Sequence, residues 1–150
     1  MAHTLTDLIA HIVFSTKNRH PFIDAELKDR LFPYLGGIVR QLGGKCLIVN
    51  GVADHVHLLV HYPPMRCVSK LLGILKSNST GWVRETWPRR LSFAWQTGYS
   101  AFSVSQSNTS DVYNYIANQE RHHRRISFQD ELRMLLQKHQ IAYDERFLWD

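Results

Sequence analysis

The feature that most constrains the fold is the order in which short strand-like segments and long helix-like segments follow one another. Short runs rich in branched and aromatic side chains predict strands, and long runs with apolar side chains every three or four positions predict helices. The predicted strands are residues 8–15, 45–52, 55–61 and 93–99, and the predicted helices are residues 24–42 and 68–87. The order β-α-β-β-α-β is typical of a ferredoxin-like α+β fold, an antiparallel sheet with helices packed on one face.

The predicted boundaries rest on capping and turn residues. Asp24 is a candidate N-cap for the first helix, and Gly43-Gly44 is expected to end it. The second and third strands read as a hairpin whose connection is Ala53-Asp54, with Asn50-Gly51 as a second candidate for the turn. The two middle strands are therefore expected to pair antiparallel.

Beyond the fourth strand, a polar stretch leads into further helical sequence. Residues 111–122 and 130–138 predict two more helices, the first of which carries Tyr115. A length of 150 residues suits one hydrophobic core, so we expect residues 1–150 to form a single domain.

Composition narrows the class of partner. The formal net charge is +5 and the sequence pI is about 9.4, which favours binding to polyanions such as nucleic acid but equally fits any basic soluble protein. Cys46 and Cys67 form no CxxC pair, so no zinc ribbon or redox motif is indicated. Neither a signal-peptide pattern nor a long apolar segment is visible, and we expect a cytoplasmic protein.

The motif His55-Val56-His57 lies in the third predicted strand. Alternate side chains of a strand share a face, so the two imidazoles point the same way and could chelate one metal ion. The alternative is a pair of partly exposed histidines on a polar face, because a short motif in a histidine-rich chain can arise by chance. His61 shares this face but fits a structural or DNA-facing role better.

Tyr115 and Gln119 are four positions apart on a predicted helix, so a phenol and a carboxamide project from the same face. The amide oxygen is a hard ligand that suits Mg²⁺ or Mn²⁺. Tyr113 is the competing tyrosine, but four residues beyond it lies Ala117, which cannot bind a metal. Tyr115 could instead extend the apolar stripe of its helix into the core.

Together these residues predict a phosphoryl transfer reaction on DNA. A divalent ion on His55, His57 and Gln119 would polarise a phosphodiester oxygen, and the Tyr115 phenolate would attack phosphorus. A tyrosine has an ordinary pKa of about 10, so a neighbouring cation would help it to ionise. The products would be a 5′-phosphotyrosine and a free 3′-hydroxyl, and a second DNA end could reverse the step.

Two other readings stay open at this point. In a metal-dependent DNA hydrolase or nickase, the ion would activate water and Tyr115 would be structural, with no protein–DNA link. In a non-catalytic hairpin DNA-binding protein, the strand with His55 and His57 would be only a basic face, and binding would not need metal.

Four stretches of the sequence resemble the single-tyrosine HUH transposases of small IS200-like insertion sequences, where HUH means histidine, hydrophobic residue, histidine. Each stretch is modest by itself, but the four together, in this order and spacing, are specific. They are residues 11–17 (HIVFSTK), 54–60 (DHVHLLV), 95–105 (WQTGYSAFSVS) and 115–120 (YIANQE).

The resemblance implies a transposase that cleaves and rejoins single-stranded DNA with Mg²⁺ or Mn²⁺. By this resemblance, His55 and His57 fall on the metal-binding pair, Gln119 on the third ligand and Tyr115 on the nucleophile. Members of the family are similar in forming homodimers, in which the tyrosine helix of one subunit completes the site of the other, and in recognising hairpins at element ends. Candidate phosphate contacts in this chain are Lys17, Arg19, Arg121, Arg124 and Arg125.

Overall fold

The computed structural model describes residues 3–150, which form one four-stranded antiparallel sheet in the order β2-β3-β1-β4 and several helices. The ferredoxin-like α+β fold is thereby confirmed. The strands are β1 (Ile9–Ser15), β2 (Lys45–Val52), β3 (His55–His61) and β4 (Ser100–Ser103). The helices are α1 (Ala25–Gln41), α2 (Val68–Thr86), α3 (Thr109–Ala117), α4 (Gln119–His122) and α5 (Phe128–Lys138), with 3-10 turns at Lys17–Arg19, Pro88–Arg90 and Gln106–Asn108.

Strand β1 lies in the middle of the sheet and is buried along its whole length. Its side chains alternate between two faces, so Ala10, Ile12 and Phe14 enter the main core, where α1 and α2 cover the sheet. His11 and Val13 point to the opposite face, which the C-terminal helices cover. Both faces of the sheet are therefore closed by helices, and α1 and α2 share one of them.

The predicted boundaries of α1 and of the hairpin are confirmed. The Asp24 carboxylate accepts a hydrogen bond from the Leu27 backbone N–H at 3.0 Å, and α1 is followed by Gly43 with φ +87°. The hairpin turns at Ala53-Asp54, whereas Asn50-Gly51 lies inside β2. A side chain at Gly51 would collide with the backbone of β3, which explains the glycine within a strand.

The position of the fourth strand was predicted wrongly. Residues 93–99 form no strand; β4 is Ser100–Ser103, and Trp95 makes only an isolated bridge to Thr16. Phe93 and Trp95 are apolar because they pack in the core beneath α2, where the Trp95 indole N–H donates to Ser79 Oγ at 2.9 Å. The apolar residues of this segment thus indicate burial in the core, and they do not indicate pairing in the sheet.

The predicted helix over residues 111–122 is interrupted. Asn118, with φ −98° and ψ 21°, separates α3 from α4. Ile116 anchors α3 in a small apolar cluster with Ile9 and Leu59 on β1 and β3. Helix α5 begins at Phe128, two residues before the predicted start, and its apolar stripe packs on Val13 and Phe102.

Across residues 3–150, no helix is both long enough and apolar enough to pass through a bilayer.

Candidate active site and metal centre

Strand β3 places His55 and His57 on the sheet face that α3, α4 and α5 cover, with Val56 in the main core on the other side. The alternation of a β-strand produces this arrangement, as expected from the sequence. The side chains of His55 and His57 have no exposed surface. The alternative of a partly exposed histidine pair therefore does not describe this structure.

Each of the two imidazoles is oriented by a partner on its Nδ1 atom. His55 Nδ1 lies 2.7 Å from Asp54 Oδ1, and His57 Nδ1 lies 2.8 Å from His11 Nε2. Such partners fix the orientation of each ring, and they direct Nε2 toward the interior of the cluster. Burial, followed by the neighbouring His57, lowers the pKa of His11 to about 3, so His11 is a neutral ring.

A carboxylate that the sequence reasoning missed lies at the centre of the cluster. Glu131, on α5, is 1% exposed, and its Oε1 atom lies 3.0 Å from His57 Nε2 and 3.2 Å from His55 Nε2. A signal was available, because Glu131 falls within the apolar stripe formed by Phe128, Leu132 and Leu135. A charged residue in such a stripe is buried only when it is paired.

Gln119 is fully buried and takes part in the same cluster. Its amide Oε1 lies 3.3 Å from His55 Nε2, and its Nε2 donates to Glu131 Oε2 at 3.1 Å. His123, which the sequence reasoning also missed, places its Nε2 3.0 Å from Gln119 Oε1 and 2.9 Å from Glu131 Oε1. The spacing was a signal for this position, because His123 follows Gln119 by four residues, just as Gln119 follows Tyr115, and residues four apart share one face of a helix.

Tyr115 joins the cluster from α3. Its hydroxyl donates a hydrogen bond to Glu131 Oε2 and lies 3.4 Å from His122 Nε2. Tyr113, the competing tyrosine, is 42% exposed. The structure therefore brings Tyr115, His55, His57 and Gln119 together within one chain.

The charges of the cluster follow from burial and pairing. Burial alone would raise the pKa of Glu131, but hydrogen bonds from His123, His55 and His57 hold this pKa well below its usual value. Burial also lowers the pKa of His55, yet the Asp54 and Glu131 carboxylates outweigh it, so the pKa of His55 is raised. Burial leaves the pKa of His57 below its usual value.

The same cluster suppresses ionisation of the phenol. Burial, together with the adjacent Glu131 carboxylate, raises the pKa of Tyr115 far above its usual value. In this arrangement the Tyr115 hydroxyl keeps its proton and acts as a hydrogen-bond donor.

The donor atoms of the cluster suit a divalent metal ion. Ligand atoms of His55, His57, His123 and Glu131 all lie within 4.8 Å of one another, close enough to surround a single cation. Imidazole nitrogen with carboxylate and amide oxygen is a mixed donor set that first-row divalent metals accept. The residues present therefore fit a metal centre.

The candidate DNA-binding residues fall into two groups around the cluster. Arg19 and Arg124 line an open groove that reaches His123, and Arg121 and Arg125 line another that reaches His122. Lys17 is exposed on the 3-10 turn after β1 and borders neither groove. The two arginine pairs thus flank the candidate site.

Comparison with known proteins gives concordant results. Residues 4–119 match the sequence family described as "Transposase IS200 like". The transposase for insertion sequence element IS200 of Salmonella typhimurium is 30% identical over 125 residues, covering 79% of this chain and 81% of the relative. The ISDra2 transposase TnpA of Deinococcus radiodurans is 25% identical over 114 residues, covering 73% of this chain and 81% of the relative.

Two solved structures share the fold. A protein of Deinococcus radiodurans R1, described as a transposase, superposes with a TM-score of 0.63 and 25% identity, covering 79% of this chain and 95% of that one. The REP-associated tyrosine transposase bound to a REP hairpin superposes with a TM-score of 0.55 over 79% of this chain and 68% of that one, and its 12% identity supports the fold alone. The family match ends at Gln119, so His123 and Glu131 lie outside it. From the match over most of its length, the chain belongs to the IS200-like transposase family.

Proposed function

We propose that this transposase cleaves and rejoins single-stranded DNA at insertion-sequence ends, with Tyr115 as the nucleophile. One observation carries the proposal: the Tyr115 hydroxyl lies in the same buried cluster as His55, His57 and Gln119. A tyrosine that served only the core would not direct its hydroxyl into a group of metal-ligating side chains. The membership of the chain in a transposase family supports the same reaction.

In the proposed step, the Tyr115 hydroxyl gives its proton to Glu131, which accepts its hydrogen bond, the Tyr115 oxygen attacks the phosphorus of a phosphodiester, and the bond from phosphorus to the 3′-oxygen breaks. The DNA then carries its 5′-phosphate on Tyr115, and the released 3′-oxygen takes up a proton. Because the phosphotyrosine keeps the energy of the phosphodiester, the 3′-hydroxyl of another strand can reverse the step. His122, 3.4 Å from the Tyr115 hydroxyl, is placed to donate to a phosphate oxygen there.

The residues that would hold the metal are His55, His57 and Gln119, joined by His123 and Glu131. When bound, a Mg²⁺ or Mn²⁺ ion would polarise a phosphate oxygen and favour the phenolate form of the tyrosine. The chain itself orients the ligands, through Asp54 and His11 behind the two imidazoles. The oxygen donors, Gln119 and Glu131, support the preference for these hard cations.

The proposed DNA substrate is a single-stranded hairpin. The positive net charge and the arginines that flank the cluster favour a polyanion. A structural neighbour is described as bound to a REP hairpin, which agrees with this substrate class. We further propose that residues 1–150 act as one domain, that two copies form the active homodimer and that the enzyme works in the cytoplasm, where DNA is accessible.

The test is a search for a covalent protein–DNA product. The protein is incubated with a labelled library of single-stranded hairpin oligonucleotides and Mn²⁺ or Mg²⁺, and the products are separated on a denaturing gel. We expect a protein–DNA band that disappears in Tyr115→Phe and with a chelator. Tyr113→Phe is the matched control, because this tyrosine lies two residues away on α3, is 42% exposed and should leave the band unchanged.

The two alternative functions give different results in the same assay. Cleavage without a covalent band, unaffected by Tyr115→Phe, would reject the tyrosine mechanism in favour of a hydrolase that activates water. If the protein binds hairpins without metal and cleaves no member of the library, the result would support a non-catalytic hairpin-binding protein.

A further inference from the structure

A cavity of about 450 Å³ opens beside the nucleophile candidate. Tyr115, His122 and Glu131 form part of its wall, and most of the remainder comes from β4, from α3 with the turn before it, and from the C-terminal half of α5. Its volume falls in the range of small-molecule sites. In contrast, the imidazoles of His55 and His57 have no exposed surface, so a ligand that enters this cavity meets Tyr115 and Glu131 before it meets these two imidazoles.

The inner wall of the cavity is apolar and partly flat. Phe102 is 3% exposed and Leu135 is 9% exposed, and both belong to the core beneath α5. The Phe102 ring stacks on the His139 ring with centroids 4.4 Å apart and an interplanar angle of 15°. The His139 ring is exposed, and an exposed aromatic ring beside an aliphatic side chain such as Leu135 is a surface on which an unpaired nucleobase can stack.

The rim of the cavity is polar. Asn108, Asp111 and Lys138 line it and are exposed. An amide and a carboxylate can pair with the hydrogen-bonding edge of a base, and an ammonium can approach a phosphate. The lining therefore combines an apolar wall for the faces of a base with polar groups for its edge.

We propose that this cavity binds the base of a nucleotide that adjoins the scissile phosphate. The inference rests on the proposed function, because attack by Tyr115 brings the phosphodiester to the cavity wall, and the base of either adjoining nucleotide is then within reach. Turning such a base out of its stack costs little in single-stranded DNA. The base would enter between the apolar wall and the polar rim.

This site would give the chain its own sequence preference. Met134, Leu135, Lys138 and His139 all lie on or just after α5, beyond residues 4–119 that match the family. One wall of the base site therefore comes from residues that lie outside the stretch matched to the family. Asp111, on the opposite wall, is the residue whose replacement should alter which base is preferred.

The test measures binding, independently of catalysis. Amide resonances of the ¹⁵N-labelled protein are followed while dAMP, dGMP, dCMP or TMP is added, with inorganic phosphate as the probe that lacks a base. We expect shifts at Ser103, Val104 and Val112 with at least one nucleotide and not with phosphate. Met134→Trp should fill the cavity and weaken this binding at least tenfold, and Met134 is 57% exposed, so the fold should tolerate the change.

Met65→Trp is the matched control, since Met65 is 85% exposed and does not line the cavity. Asp111→Asn, at an exposed position, should change the order of affinity among the four nucleotides. Equal shifts with phosphate alone, or undiminished nucleotide binding in Met134→Trp, would overturn the proposal. Nucleotide binding without a covalent DNA product would support the base site and reject the proposed function, and a covalent product without nucleotide binding would do the reverse.

Discussion

Replacement of Glu131 by glutamine removes the negative charge at the centre of the histidine cluster while it keeps the shape of the side chain. The carboxylate is 1% exposed and contacts the Nε2 atoms of His55, His57 and His123. It also accepts the hydrogen bond of the Tyr115 hydroxyl. A glutamine amide has one acceptor oxygen, and its NH₂ group would face groups that donate.

The expected loss of stability without metal is about 3–5 kcal/mol, the cost of removing one partner from a buried ion pair. For a protein of this size, about 2–4 °C of Tm corresponds to each kcal/mol, so Tm should fall by about 6–20 °C. Differential scanning calorimetry in the presence of a chelator measures this change. Glu85→Gln is the matched control, because Glu85 is exposed on α2 and its replacement should change stability by less than about 0.5 kcal/mol.

The same variant tests the role of Glu131 in metal binding. Loss of a carboxylate that would hold the metal should weaken Mn²⁺ affinity by at least about 10–100-fold, the loss typical of residues that only support a ligand, and calorimetric titration measures this change. If Glu131→Gln unfolds within about 2 °C of the parent under chelator, Glu131 is not the anion that neutralises the histidines, and the electrostatic reasoning is wrong.

Three further predictions concern the hairpin, the pH dependence and the origin of the nucleophile. Gly51→Ala should destabilise the protein by more than about 3 kcal/mol in urea unfolding, because the new Cβ would lie 2.9 Å from a backbone Cα of β3. Gly73→Ala is the control: this helical glycine has open space around it, so the change should stabilise the protein by about 0.5–1 kcal/mol. Burial lowers the pKa of His11 to about 3, so below pH 6.5 the unfolded chain binds a proton at His11 more readily than the folded chain does. The free energy of unfolding should therefore fall between pH 6.5 and 3 by up to about 1.4 kcal/mol per pH unit. His11→Gln should flatten this slope, and an unchanged slope would contradict the low pKa of His11. A mixture of Tyr115→Phe and His57→Ala should stay inactive if each chain uses its own tyrosine, as the contacts within one chain indicate, and recovery of the covalent band would show exchange between subunits.

The sequence predicted the architecture well because, in most segments, the spacing of apolar residues and the positions of turn and capping residues indicated the same helix or strand. The bounds of β2 and β3 matched the prediction at every residue, since the alternating pattern was framed by Gly44 and by Ala53-Asp54. The fourth strand was misplaced because Phe93 and Trp95 fill the core from an irregular segment. An apolar run records burial, and burial does not require a strand.

The candidate site was predicted in part for a similar reason. His55 and His57 are close in sequence, so local geometry was enough to bring their side chains to one face. Glu131 reaches them only because α5 folds back over the sheet, which is a tertiary contact that no short motif reports. The isolated charge in the stripe of α5 was the available signal, and it indicates a buried partner without identifying it.

The light attachment of α3 has a consequence for how the reaction begins. The helix is held to the sheet by the buried Ile116, and by Asn50, whose Nδ2 donates to Ile116 O at 2.9 Å and to Ala117 O at 3.3 Å. The Tyr115 hydroxyl, which donates to Glu131, adds a contact to α5. Opening of α3 would break these contacts and leave the main core intact, so it should cost less than unfolding of the whole protein. Such an opening would uncover the imidazoles of His55 and His57 to a DNA phosphate.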